Sequence, residues 1–229
     1  MGEKTPLLLP HVSDGLPVVE PLRYSETWTA ADMLYRAFEK NTEKRYFNDA
    51  DFGPHIRARR DKPHVWWPLL LLVRAQRALT VDHGNALLSY ARPGEKTPGG
   101  WLVNLLRPLI RLAMPKECRK RRNEFVEAMK RLEEEALGDR AKEMFTLAGL
   151  GTAPEAQGKG YASALVRCLL AMADAEGRAT SVMTTDAAGF YALHGFVLVG
   201  ETWIAKDNPK YDGPPVPVRV MIREARKTG

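Results

Sequence analysis

One stretch constrains this chain more than any other: Leu150-Gly151-Thr152-Ala153-Pro154-Glu155-Ala156-Gln157-Gly158-Lys159-Gly160-Tyr161-Ala162. A strand runs into Pro154, which stops it, and a glycine-bearing turn feeds directly into a helix. Gly158 and Gly160 supply backbone angles that other residues adopt only at a cost, and without Cβ atoms they let a ligand approach the main chain. The first amides of the following helix have no acceptors within it, and the positive end of the helix dipole stands behind them. The stretch is therefore an anion site built from backbone, to which Lys159 adds a full charge. Other phosphate loops fit worse. A Walker loop needs Ser or Thr where Gly160 stands and Gly where Ala153 stands, and a dinucleotide fingerprint needs Gly or Ala where Ser163 stands.

The rest of the chain supplies a matching frame. Its 229 residues suffice for one generous domain, and 45% hydrophobic with 27% charged residues excludes a disordered or fibrous chain. Lys and Arg number 34 against 28 Asp and Glu, a net +6 that calls for an anionic partner: nucleic acid, an acidic membrane surface or a phosphorylated cofactor. The run 116–122, with five basic residues and one acidic, invites the first of these. It reads instead as the solvated start of a helix that Glu133-Glu134-Glu135 balances further along.

Cys118 and Cys168 form neither a disulfide framework nor a CxxC pair, so no metal is expected and a reducing location is: cytoplasmic, or nuclear. Leu7-Leu8-Leu9 is too short for a leader. The longest apolar run, 66–73, is interrupted by Pro68, where a spanning helix needs about 20 residues, so no membrane role is expected.

Periodicity predicts a loose tail over 1–16, a strand over 18–24, a helix over 30–40 capped by Thr27 or Thr29, and an irregular polar segment over 46–61. A helix over 66–79 beginning near Pro68 follows, then two strands around the turn Asp82-His83-Gly84-Asn85. Past a Gly-rich break come an apolar stretch over 101–114 and an amphipathic helix over 117–137, with Phe125, Met129, Leu132 and Ala136 on one stripe and Gly138 as its cap. The last third alternates: strands over 144–152, 180–185, 196–205 and 217–223, a helix over 160–176 and a short one over 190–194. That order specifies an α/β fold with a mixed sheet.

The segment Gln157-Gly158-Lys159-Gly160-Tyr161-Ala162 resembles the Q/R-x-x-G-x-G/A motif of the GCN5-related N-acetyltransferase (GNAT) superfamily. The strand before it, running into Pro154-Glu155, resembles that family's central strand. About thirty residues on, Gly189-Phe190-Tyr191-Ala192-Leu193-His194-Gly195-Phe196 resembles its second signature, an aromatic–Tyr pair followed by Gly-Phe. The motifs cover 145–201, and the layout extends the likeness over 18–223. A helical block inserted before the central strand looks most like the branch of puromycin N-acetyltransferase and its fungal relatives. The resemblance implies a single domain over 17–226, with a central mixed, mostly antiparallel sheet flanked by helices and a helical insertion over about 95–142.

By the same resemblance the co-substrate is acetyl-CoA. Its pantetheine arm pairs with main-chain groups of Leu150, Gly151 and Thr152, and its pyrophosphate rests on the amides of Gln157, Gly158, Lys159, Gly160, Tyr161 and Ala162. Tyr191 matches a tyrosine placed beside the CoA sulfur, and a phenol with a pKa near ~10 stays protonated at neutral pH and can donate to a thiolate. Relatives often carry an Asn where Ala187 stands; Asp186 beside it would bring negative charge towards an anionic ligand and is left out of the site. Glu143 and Glu201 are the candidate general bases, with water chains as the other route. His194 reads as a helix cap. Trp66, Trp67 and Trp101 either pack the core or wall an acceptor pocket, and the inserted block is expected as a helical cover over that pocket or as a homodimer contact. The implied function is acetyl transfer to a primary amine of a small molecule or an exposed protein amine. The second reading is a non-catalytic acyl-CoA binder, or a nucleic-acid-associated protein, that keeps the fold.

Overall fold

The structure is a computed structural model that describes residues 17–48, 54–95, 115–206 and 208–226. Seven strands form one sheet: β1 (Glu20–Pro21), β2 (Ala78–Val81), β3 (Ala86–Ala91), β4 (Phe145–Thr152), β5 (Thr180–Thr184), β6 (Val197–Ile204) and β7 (Val216–Arg223). Their order is β1-β2-β3-β4-β5-β7-β6, and only the β4–β5 pair is parallel. The mixed, mostly antiparallel sheet is thus as expected. The helices are α1 (Thr27–Ala37), α2 (Thr42–Asn48), α3 (Pro54–Arg74), α4 (Lys116–Ala136), α5 (Tyr161–Ala175) and α6 (Ala188–Leu193).

Each face of the sheet is covered because its side chains demand it. Along α5, Leu165, Cys168, Leu169 and Met172 recur at helical spacing and are buried against Leu88, Tyr90, Phe145, Leu147 and Val182. On the opposite face α1 packs over β3 and β4 through Ala30 and Met33. There a Cβ on Gly151 would stand 2.7 Å from Leu34 Cδ2, so glycine is what lets α1 lie so close. Further along that face, α4 places Phe125, Met129, Leu132 and Ala136 against β6 and β7.

Three expectations change. The polar segment 46–61 is not irregular: it holds α2 and the start of α3, and Tyr46 is fully buried. A polar composition hid this, because the burial comes from tertiary partners on α4 rather than from local periodicity. The helix read as 66–79 is α3, which starts at Pro54, carries Pro63 and Pro68 in its interior and ends at Arg74, so that Ala78 already lies in β2. Gln76, with φ of 55°, makes the reversal between them. The strand read as 18–24 shrinks to Glu20–Pro21. The expected tail over 1–16 and the apolar stretch 101–114 lie outside the described residues.

Candidate active site

The site begins where β4 and β5 part. They pair only from Phe145 to Leu147 against Thr180 to Val182, while β3 stays with β4 to its end at Thr152. Past Leu147, then, the polar groups of the β4 backbone that face β5 have no strand partner. The β3–β4 register also shifts between Ser89 and Tyr90, which leaves Ala148 as the extra residue of a bulge. Ala148 is exposed in the middle of the central strand. Bulges re-aim a strand at places like this.

At its end β4 delivers the anion loop. Ala153 donates its N–H to Asn85 O at 2.8 Å, and Pro154–Ala156 forms a single 3-10 turn. Arg36 from α1 grips Glu155 with Nη1 at 2.9 and 2.8 Å and is itself held by Asp32 through Nε at 3.0 Å. A bond to its own backbone, and then that grip, hold the Glu155 carboxyl below its ordinary range. Gly158 and Gly160 both have φ of 80°, and a Cβ on either would meet nothing within 4 Å, so the loop opens outward. The first bond within α5 runs from Ala164 N–H to Gly160 O. The amides of Tyr161, Ala162 and Ser163 therefore have no helical acceptor.

The sequence-predicted set comes together around this opening. Gln157, Gly158, Lys159 and Gly160 are exposed along the loop. Gln157 Nε2 donates to Thr152 O at 3.5 Å. Thr152 Oγ1 is buried without a partner among the described residues. Tyr161 turns its hydroxyl to Asp82 at 3.3 Å, in the β2–β3 turn. Leu150 packs into the core under α5 and Gly151 pairs with Leu87.

Tyr191, on α6, belongs to that same core cluster with Leu147, Leu165 and Val182. Only 6% of it is exposed, and Phe190 and Phe196 stand edge-on to its ring. Burial pushes its phenol up to about 12, and no described residue accepts from its hydroxyl. The ring is thus held in the core while the hydroxyl stays protonated at neutral pH. His194 bonds Ser163 Oγ through Nε2 at 3.2 Å, tying α6 to the first turn of α5; burial, then Arg167, holds its pKa down.

The two candidate bases stand elsewhere. Glu143 precedes β4 at the end remote from the loop, facing Arg178 at 3.9 Å. Glu201, on β6, is taken by Arg219 at 2.7 Å. Trp66 donates to Thr27 Oγ1 at 3.0 Å and meets Trp28 edge-on at 5.8 Å, so it joins α3 to α1. Trp101 lies outside the described residues. In its described part the inserted block is α4, and it lies on β6, β7 and α2.

Sequence reasoning missed the opposite lip. Asp186, two residues beyond β5, accepts from the Thr42 backbone N–H at 3.0 Å and from its hydroxyl at 2.6 Å. The adjacent Glu43 is pushed up to about 7 by burial, with Arg122 drawing it down and Asp186 raising it. Neither signal exists locally: the stretch 39–45 reads as a run of mixed charge. No group of His, Cys, Asp and Glu that could hold a metal occurs among the described residues. Nor is any described helix long and apolar enough to cross a membrane.

Comparison with known proteins agrees with this geometry. Residues 123–198 match the family model of the acetyltransferase (GNAT) domain. No curated protein matches the chain in sequence. Among solved structures, the fold is similar to "histone acetyltransferase HPA2 and related acetyltransferase" of Corynebacterium glutamicum, with a TM-score of 0.55, 20% identity, 93% of this chain and 99% of that one covered. It is similar to a Drosophila melanogaster polyamine N-acetyltransferase that forms N-acetylagmatine, with a TM-score of 0.59 at 14% identity over 90% and 99%. It is also similar to arylalkylamine N-acetyltransferase 2 of Aedes aegypti, with a TM-score of 0.60 at 12% identity over 91% and 99%.

Proposed function

We propose that this chain, whose residues 123–198 match the acetyltransferase (GNAT) domain, transfers an acetyl group from acetyl-CoA to the primary amine of a small molecule or of an exposed protein residue. The observation that carries this reading is the gap between β4 and β5, opening beside the anion loop, with the buried ring of Tyr191 in the core under α5.

Each part has a task. The main chain of Leu150, Gly151 and Thr152 offers free polar groups to the amide-bearing arm of the co-substrate, and the orphaned Thr152 Oγ1 gives one more. The amides of Gln157, Gly158, Lys159, Gly160, Tyr161 and Ala162 hold its pyrophosphate. This cradle suits phosphate because it is positive through backbone dipoles rather than through stacked cations. When bound, acetyl-CoA supplies the activated acyl group as a thioester. Tyr191 donates a proton to the departing sulfur, a role open to a phenol that stays protonated across the physiological range. Agmatine and arylalkylamines are what two similar structures are named for, and the same class of small primary amines is the leading acceptor here.

The test is direct. The purified chain is given acetyl-CoA and a panel of primary amines, and free thiol release is followed while calorimetry reports acetyl-CoA binding. Turnover with at least one amine supports the reading. Tight binding without turnover on any amine would sink it in favour of an acyl-CoA binder.

A further inference from the structure

Resting on the acetyl-CoA reading above, we propose that Arg36 is a positioning residue for the pyrophosphate loop. From the last turn of α1 it holds Glu155 in place, and so sets the affinity for the co-substrate without touching it. Glu155 lies in the 3-10 turn Pro154–Ala156, between the end of β4 and the exposed residues Gln157 to Gly160.

The grip is built in steps. Arg36 Nη1 donates to both carboxylate oxygens of Glu155, at 2.9 and 2.8 Å across 119 positions of sequence. The guanidinium is itself aimed, because its Nε donates at 3.0 Å to Asp32, one helical turn back. Lys62 of α3 donates to the other oxygen of Asp32. Four charges therefore run Lys62–Asp32–Arg36–Glu155, from α3 through α1 to the loop. The helix that carries two of them is fixed to the strand that feeds the loop: Met33 is buried, and Leu34 lies against Gly151. At the start of the loop the Ala153 N–H is held by Asn85 O, and at its end the Tyr161 hydroxyl is held by Asp82, both in the β2–β3 turn. The loop is thus anchored at both ends and open between them.

Charge explains the use of such a clasp. A carboxylate two residues before Gln157 works against a phosphate site, since like charges repel. It also competes for the cation of that site, because Lys159 acts on Glu155 by charge. Without Arg36, Glu155 would draw Lys159 across the mouth of the loop. With Arg36 on both of its oxygens, Glu155 is neutralised and Lys159 is left for the phosphates. A guanidinium on both oxygens of a carboxylate is among the stronger charge-assisted pairs, and it fixes geometry as well as charge. Both partners are exposed, so the pair adds little to global stability. Its effect falls instead on the loop, where order present before binding lowers the entropy lost on binding.

The experiment is a double-mutant cycle in acetyl-CoA affinity, measured by calorimetry on the full chain: native, Arg36→Ala, Glu155→Ala and the two together. Arg36→Ala should weaken acetyl-CoA roughly tenfold, while Tm moves by less than about 2 °C. With an amine from the panel, its KM for acetyl-CoA should rise and its kcat should stay at the native value. In the Glu155→Ala background the same substitution should change affinity less than roughly twofold. Arg36→Lys should recover only part of the loss, because a point charge does not reproduce the planar fork. Native affinity in Arg36→Ala overturns the proposal. Equal weakening in both backgrounds overturns it too, since Arg36 would then meet the ligand itself. A native chain that binds no acetyl-CoA overturns the co-substrate reading, and the role of Arg36 with it.

Discussion

Thr42 gives both its backbone N–H and its hydroxyl to the carboxylate of Asp186, at 3.0 and 2.6 Å across 144 positions of sequence. The bond pair does two jobs at once. It satisfies an otherwise free amide at the start of α2, and it locks that helix to the exit of β5. Replacing Asp186 with Ala should cost about 1 kcal/mol, since the pair is exposed to solvent. For a chain of this size that is a fall of about 2–4 °C in Tm, readable by calorimetry. Acetyl transfer should fall further than stability does, with acetyl-CoA affinity unchanged, because only the α2 lip is loosened. Equal loss of cofactor binding would place Asp186 on the wrong side of the gap.

Gly160 tests the anion loop. Its φ of 80° strains any side chain, but a Cβ there meets nothing within 4 Å. Gly160→Ala should therefore fold, at a cost of about 1–2 kcal/mol. Gly160→Glu adds a carboxylate where phosphate oxygens are expected, and calorimetry should show acetyl-CoA affinity at least tenfold weaker than in the Ala variant. Equal affinity in both would move the pyrophosphate elsewhere.

Arg121 is a different kind of residue, structural rather than chemical. Its side chain is 1% exposed, and it donates to Tyr46 O at 2.7 Å, Lys210 O at 2.6 Å and Glu117 at 3.0 Å. Asn208 closes the cluster by bonding Glu117 and the Tyr46 hydroxyl, which in turn donates to Glu124 at 2.6 Å. Three elements meet here: α2, α4 and the β6–β7 loop. Arg121→Ala leaves buried acceptors and a carboxylate without a donor, so a loss of about 3–5 kcal/mol is expected in urea unfolding. Arg121→Lys should recover little, because one point charge cannot reproduce a planar fork. A small loss for either would mean that water replaces the guanidinium.

These residues also mark what the sequence could and could not disclose. The anion loop was legible because its chemistry is local: Pro154, Gly158 and Gly160 each dictate a backbone state, and the helix start follows from them. The sheet and α5 were legible by periodicity. Tyr46 and Arg121 were not. A tyrosine in a polar run and an arginine in a basic run look solvated until the chain brings α2, α4 and the β6–β7 loop together. The raised carboxyl of Glu43 was hidden for the same reason, since it depends on packing and charge brought in from far along the chain. Glu143 and Glu201, the carboxylates beside strands offered as bases, each face an arginine.

Tyr191→Phe separates acid chemistry from packing. The hydroxyl has no described partner, so its removal should change stability by less than about 0.5 kcal/mol, while kcat falls roughly 100-fold at nearly constant KM. The native phenol, raised to about 12, should produce no alkaline limb in kcat below pH 10. The sign of its stability effect follows from that raised value: its contribution is whole below about pH 10 and is lost as pH rises towards 12, by about 1.4 kcal/mol per unit. Tyr46, also raised to about 12 by burial, adds a second such loss, so the native chain should unfold at high pH and Tyr191→Phe should resist it more. Identical base unfolding in both chains would show that the ring at 191 is already wet.

Glu43→Gln has a consequence for stability that does not depend on any reaction. Burial lifts the carboxyl from its usual 4.5 to about 7, so the native state holds its proton more tightly than the unfolded chain. The stabilising contribution is therefore whole below about pH 4.5 and is lost as pH rises through 7. An amide cannot ionise, and the variant avoids this loss. Relative to the native chain it should gain stability between pH 5 and pH 8, reaching roughly 1–2 kcal/mol once the partial exposure of the side chain is allowed for. Urea unfolding at the two pH values measures the difference. A variant that tracks the native chain at both would show that Glu43 ionises freely, and the carboxyl would then be an ordinary surface charge.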